Sequence, residues 1–381
     1  MHEGERRVLT GLGLTVILGY PLFFYAHKFQ VPWLGGGNDF RSYHVMALDP
    51  LDFGAVRAPF AMRQLTAAIA HVILKSGFVF SNDIAFDHFT VFEGVSYRAD
   101  VFFSLLLANF LGLVAAGGFV YATVARDCAG RTDGWALDGV SLPGASAVGL
   151  LLLSGPLMFH VIAPLTEGWS WFLVAAGVYF YRADGRSAYA ALLVLPVAVF
   201  QRELVLPIFA TLAGAELLSR RRDLAPPLAL PRRRFLTALL AASVAAMAAY
   251  FVLRGSVLPV LRTDLQQISP TRWPGILTTR IANPAVMAKF ARVLVKMNLM
   301  LLWGGVALLS LRRGLAGWDR HFLGVIVALA VMIALVSIMV GADAAADRYL
   351  GLLTPLFIVS LFDLLAGKGQ SVSIRSETNP M

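Results

Sequence analysis

VFFSLLLANFLGLVAAGGFVYATVA, residues 101–125, runs for 25 residues without an Asp, Glu, Lys, Arg or His. As a helix it rises about 37 Å, more than the roughly 30 Å of bilayer hydrocarbon. A helix on the surface of a soluble domain keeps one polar face, and this stretch has none. A second charge-free stretch, Gly139–Thr166, repeats the signal. Across the chain, 58% of residues are hydrophobic and 14% are charged, against about 25% charged in soluble domains. These figures exclude a soluble domain and predict an all-α, polytopic membrane helix bundle.

Working outward, ten apolar segments can be marked at about 8–26, 101–125, 141–163, 168–182, 187–201, 203–219, 235–254, 293–311, 322–341 and 349–366. Cytoplasmic connections carry an excess of Lys and Arg. With Arg6 and Arg7 inside, every second short connection is basic: Arg126 and Arg131; Arg182 and Arg186; Arg220–Arg222 with Arg232–Arg234; Arg312, Arg313 and Arg320; Lys368 and Arg375. Count and alternation agree on ten crossings with both termini cytoplasmic. The N-terminal stretch has a basic end and an apolar core but no small-x-small cleavage site, so it is read as a retained first helix. One catalytic domain, 1–366, is expected, with a polar cytoplasmic tail at 367–381 and two long outer connections, 27–100 and 255–292.

Within the first outer connection, residues 60–77 are apolar at helical spacing but interrupted by Arg63, His71 and Lys75. That pattern predicts a helix lying in the interface; an eleventh crossing is the rival reading, and the downstream charge pattern argues against it. A second short surface helix is expected at 84–94. Segments 187–201 and 203–219 meet at FQRELVLP with almost no loop. Fifteen helical residues span only about 22 Å, so Arg202 and Glu203 should sit below the headgroups, shielded by protein, in a broken or re-entrant hairpin flanked by Pro196 and Pro207.

Sorted by side, the outer face collects Asp39, Arg41 and Tyr43, then Arg63, Glu167, Arg202 and Glu203, then Asp343, Asp347, Arg348 and Tyr349. Asp39 and Tyr43 stand at i, i+4. Each piece has a bland explanation: a solvated loop, an arginine snorkelling to lipid, a structural ion pair, a helix cap. Together they place carboxylates beside guanidiniums on a face where cations are usually sparse, an arrangement suited to a lipid phosphate. His71, His88 and His160 share no metal-ligand spacing and read as structural. The single cysteine, Cys128, excludes an intrachain disulfide. The net charge of +9 suits cytoplasmic loops and anionic lipids, and nucleic acid is not an expected partner.

The order of these features resembles the GT-C superfamily of membrane-integral glycosyltransferases. The resemblance rests on Asp39, Tyr43 and Ala47 after the first crossing; on PFAMRQL with Arg63; on the Arg202–Glu203 turn; and on DRYLGLLTP late in the chain. It covers roughly residues 8 to 365 as a series of short motifs. It implies a multi-pass enzyme of the cell envelope that moves a sugar from a polyprenyl-phosphate carrier to a glycan, lipid or protein acceptor. Carried over, Asp39 is the catalytic base, and Arg63, Arg202 and Arg348 bind the donor phosphate. Arg41, Tyr43, Glu203, Asp347 and Tyr349 orient substrates. No cofactor is implied, and the lone Asn-Asp acid motif leaves a divalent metal without support. The absence of a large C-terminal domain favours a single-sugar donor. The low Lys to Arg ratio, 5 to 27, hints at a bacterial cytoplasmic membrane. Two other readings stay open: a transporter or flippase of a lipid-linked or anionic solute, and a non-catalytic accessory protein of the same fold.

Overall fold

The computed structural model describes residues 3–29, 38–52, 56, 63–78, 91–92, 95–96, 98–129, 136–137, 139–154, 167–183, 185–221, 229–257, 272–312, 318–339 and 346–366. Within these, the side chains of residues 38–39 and 346–347, among others, are not described. Residues 84–90, Gly35–Gly37, Asp343 and the tail 367–381 lie outside the described residues.

Helix α1 (Glu3–Phe29) is followed by two short helices, α2 (Asn38–Leu48) and α3 (Gln64–Lys75). The charge-free stretch quoted above forms α4 (Ala99–Cys128), the central helix. It has Asp100 in its first turn and Arg126 in its last, each at the end where the helix dipole favours that charge. Apolar on every side, α4 is also covered on most sides: it packs on α1, α3, α5 (Leu142–Leu152), α6 (Glu167–Tyr181) and the C-terminal α15 (Thr354–Leu365). By contrast α1 leaves Ile17 70% exposed. Leu9, Tyr20 and Tyr25 on the same helix are also open. Such a surface costs free energy in water and none in lipid.

The α4–α6 crossing is close because two glycines meet there. A Cβ on Gly112 would lie 2.5 Å from Trp169 N, and one on Gly168 would lie 2.1 Å from Asn109 O. The approach lets Asn109 Oδ1 accept the Gly168 N–H at 2.7 Å, while Trp169 Nε1 donates to Ala108 O at 2.7 Å. One of the unsatisfied N–H groups that begin α6 is thereby capped from α4, and the position of Glu167, the first residue of α6, is fixed.

Beyond α6 a 3-10 helix (Gly185–Leu193) runs into α7 (Val194–Val199), and a tight turn leads to α8 (Val205–Arg221). The 3-10 segment rises more per residue than an α-helix, so these 15 residues reach about 27 Å, further than an all-α reading gives. Next come α9 (Leu230–Val252) with a π turn (Leu253–Val257), α10 (Trp273–Ile281), α11 (Pro284–Lys296), α12 (Asn298–Arg312) and α13 (Trp318–Met339). The chain closes with α14 (Ala346–Leu350), a 3-10 turn (Gly351–Leu353) and α15.

The chain is therefore a helical bundle with apolar spans, and the structure bears on three readings. Among the described residues four helices are long and apolar enough to cross a membrane: Glu3–His27, Ala99–Cys128, Leu230–Gly255 and Arg348–Leu365. A bent pair, Pro284–Lys296 with Asn298–Leu309, makes five if counted as one span. The other marked segments contain helices, but short ones, such as Leu142–Leu152, Gly185–Val199 and Val205–Leu218. By length and composition the described residues therefore give four or five spans. Second, the helix expected at 84–94 is replaced, where it is described, by an antiparallel ribbon pairing Val91–Phe92 with Val95–Ser96. A similar ribbon pairs Ala136–Leu137 with Val140–Ser141. Third, α3 has 12 residues, about 18 Å, which is too short for an eleventh crossing.

α2 is tied down from two sides. His71 of α3 holds its Nδ1 2.8 Å from Ala47 O, and the Arg98 N–H donates to His44 Nε2 at 3.1 Å. Burial and the Arg98 guanidinium push His44 down to about 4, with Asp100 opposing. A histidine depressed in the folded state stabilises fully above its unfolded value near 6.5, and that stability is lost as pH falls toward 4. Thermal unfolding in detergent should therefore show stability dropping between about pH 6.5 and 4, by on the order of 2–3 kcal/mol from this group. In His44→Gln that component of the pH dependence should vanish; an unchanged profile in the variant would remove the assignment.

Candidate functional site

The turn between α7 and α8 is buried and clamped. Gln201 accepts from Thr66 N–H at 3.3 Å, and its Nε2 donates to Thr66 Oγ1 at 3.1 Å and to Ser170 Oγ at 3.4 Å. The Leu65 N–H adds a bond to Phe200 O at 3.2 Å. The start of α3, the α7–α8 turn and the first turn of α6 are thus locked together, and each carries a charged side chain: Arg63, Arg202 with Glu203, and Glu167. The turn that begins α14 brings Arg348 and Tyr349 to the same place.

Arg63 is 2% exposed. Its Nη1 donates to Tyr43 Oη at 3.4 Å, and its Nη2 lies 3.7 Å from Glu203 Oε1. Arg202 is 1% exposed, with Nη1 3.7 Å from Glu167 Oε1 and its guanidinium carbon 5.1 Å from the Tyr349 ring centre. Arg348 Nε bonds Glu167 Oε1 directly. Glu167 therefore stands between two guanidiniums while Glu203 serves a third. Arg254, in the π turn after α9, donates to Tyr250 Oη at 2.9 Å, and its charge also bears on Glu203.

Among the described residues, four guanidiniums (Arg63, Arg202, Arg254, Arg348) meet two carboxylates (Glu167, Glu203), an excess of two positive charges. The electrostatics register this crowding. Burial, then Arg63 and Arg348, lower Arg202, against the pull of Glu167 and Tyr349. Burial alone would lower Arg63 and raise Glu203. The neighbouring Tyr43 oxygen and Glu203 carboxylate instead raise Arg63, and Arg63 with Arg202 hold Glu203 below the usual carboxylate range. Arg202 Nη1 has no hydrogen-bond partner among the described residues. That nitrogen lies at ion-pair distance from Glu167, 3.7 Å away. Glu203, with 23% of its side chain exposed, is more open than Arg63, Arg202, Glu167 or Arg348.

Of the residues expected at the site, Arg63, Arg202, Glu203, Arg348, Tyr349 and Tyr43 are brought together. Asp39 occupies the first turn of α2, one turn before Tyr43, and Asp347 directly precedes Arg348; both side chains lie outside the described residues. Two residues stand differently from what the resemblance implies. Arg41 is exposed, about 200° around α2 from Tyr43, and does not join the cluster. Tyr43 is fully buried, and its hydroxyl accepts from Arg63, so its contact is with that arginine. Arg202 and Glu203 also do not form the ion pair that their adjacency suggests; each reaches a different element. Arg254 as a partner in the cluster and Gln201 as its clamp were missed, and Glu167 was placed on this face but given no role. Glu167 had a legible signal, an acid at the start of an apolar segment, whereas Arg254 and Gln201 had none.

A second polar layer lies at the other end of α6. Asp127 is 3.2 Å from Arg126 Nε and 3.1 Å from Arg182 Nε, and Arg182 Nη1 is 2.6 Å from Asp363 Oδ2. Nearby, Arg232 pairs with Glu216 at 2.8 Å and donates to Tyr181 O at 2.6 Å. These arginines belong to the basic set of the charge alternation, and α6 separates them from Glu167 by about 22 Å.

Among the described residues no three His, Cys, Asp or Glu side chains gather as a metal site. The chain matches no family model, no curated protein and no solved structure.

Proposed function

We propose that this chain is an inverting, GT-C-type glycosyltransferase that takes a single sugar from a polyprenyl-phosphate carrier. In this reading it crosses a bacterial cytoplasmic membrane ten times, with both termini inside, and the Arg63–Arg202–Arg348 cluster faces outward. The observation that carries the reading is that cluster: three guanidiniums from separate stretches of chain, brought together and outnumbering the two carboxylates that meet them among the described residues. The two polar layers at opposite ends of α6 support the sidedness.

The chemistry follows from the leaving group. An acceptor hydroxyl attacks the anomeric carbon from the face opposite the phosphate and gives its proton to the Asp39 carboxylate. The bond between the anomeric carbon and the phosphate oxygen breaks, and its electron pair leaves on the lipid phosphate. That phosphate is already a stable anion and needs no acid. Its developing charge is met by Arg63, Arg202 and Arg348, held in place before the reaction. Glu203, Asp347 and Tyr349 orient these arginines or the sugar hydroxyls. The acceptor is a glycan, lipid or protein at the outer membrane surface.

The test uses purified protein in lipid nanodiscs, with undecaprenyl phosphate as the probe of the donor site. Arg63→Gln should weaken its binding about 10–100-fold, as expected when a charged hydrogen-bond donor is lost from a buried site, with little effect on acceptor KM. Equal affinity in the variant and the wild type would reject the donor-site assignment.

A further inference from the structure

The second outer connection carries charge that the proposed reaction does not use. Between Asp264 and Asp319 the chain has no acidic residue, yet Arg272, Arg280, Lys289, Arg292 and Lys296 all fall there. Helices α10 and α11 form an elbow at Ala282–Asn283, where Asn283 caps α11 by accepting the Ala285 N–H at 3.0 Å. At its far end α11 bends by 82° into α12. When α12 stands across the bilayer, α11 therefore lies close to the membrane plane.

The side chains of α11 are sorted as that orientation requires. Lys289, Arg292 and Lys296 are exposed and fall within about 60° of arc at 100° per residue. Phe290 and Val293 are buried against the protein, and Val295, beside the cations, is 73% exposed. A helix with a basic stripe and exposed apolar residues rests at headgroup level. On α10, Arg272 and Arg280 share a face and line an open groove of about 530 Å³ with Gly275, Ile276 and Thr279. The elbow also borders the candidate site, because α11 packs on α14, the helix of Arg348.

Exposed cations beside apolar side chains at headgroup depth are attracted to anionic lipid, by about 1 kcal/mol each. We propose that the α10–α11 elbow binds the phosphodiester headgroups of anionic phospholipids in the leaflet that borders the site. The bend and the exposed Val295 hold the cations at headgroup depth, which favours a lipid over a soluble polyanion. The inference does not depend on sugar transfer.

The test places a fluorophore on Val295→Cys in the full-length protein, reconstituted in phosphatidylcholine vesicles; the natural Cys128 is buried. Doxyl-labelled phosphatidylglycerol should quench the probe more than doxyl-labelled phosphatidylcholine at equal mole fraction. The preference should be several-fold, since one cation near an anionic surface changes occupancy about fivefold. High salt should reduce it. Lys289→Gln, Arg292→Gln and Lys296→Gln combined should bring the ratio close to one, and Arg272→Gln with Arg280→Gln should lower it independently if the triple variant fails to fold. Soluble glycerophosphate should leave the quenching unchanged. Equal quenching by the two lipids, a ratio unaffected by these substitutions, or shielding of the probe by soluble polyphosphate without any lipid preference would each overturn the proposal.

Discussion

Asp39→Asn is expected to abolish sugar transfer, lowering kcat by about 10²–10⁴-fold, while membrane insertion and the melting temperature stay at wild-type values. The substitution keeps the shape of the side chain and removes its ability to take a proton. Residue 39 lies in the first turn of α2, where an acid gains from the helix dipole and Asn is also well tolerated, so the fold has little reason to respond. The helix is anchored a turn later by Tyr43 beneath Arg63, and on its far side by His44 and His71. Donor binding, carried by guanidiniums on other elements, should be retained, which separates loss of a base from loss of a site. Wild-type turnover in this variant would remove Asp39 from its role. A transporter or an accessory protein would show no transfer even with Asp39 intact.

Much of the site was legible in the sequence because its parts lie at the ends of apolar runs, and a bundle gathers helix ends. Arg63, Arg202 and Arg348 could be assigned to one mouth on that basis alone. Which carboxylate serves which guanidinium could not. Neighbours at a turn point in different directions, so Arg202 reaches back to Glu167 while Glu203 reaches Arg63. The Gln201 clamp is equally invisible, since nothing local marks one glutamine as the bond between three elements. The two ribbons had a signal that the helical reading passed over. In VFEGVS and ALDGVS two residues ending in Gly separate β-prone pairs, a hairpin pattern, and Gly139 adopts φ +82° in the second. One segment was misread for a related reason. Apolar composition continues through a turn or a 3-10 stretch, whereas the α-helix stops, as it does between Gly185 and Leu193.

Glu167→Ala should cost more stability than any other single change at the site, about 3–5 kcal/mol, or roughly 4–6 °C in melting temperature for a chain of this size. Glu167 is 3% exposed. It bonds Arg348 and sits 3.7 Å from Arg202 Nη1, so its loss leaves two buried guanidiniums facing each other, with Arg63 close by, and no carboxylate between them. The start of α6 also loses the acid that its dipole favours. Glu167→Gln keeps the shape and one acceptor oxygen and should cost less, about 1–3 kcal/mol. An anion that enters the cluster can stand in for the missing carboxylate, and a ligand that binds only the folded state raises its stability. Inorganic phosphate should therefore raise the melting temperature of Glu167→Ala more than that of the wild type, at matched ionic strength. A variant that melts with the wild type would show that Glu167 does not neutralise the cluster. A destabilised variant that phosphate leaves unmoved would show that the three arginines, though buried together, do not form an anion site.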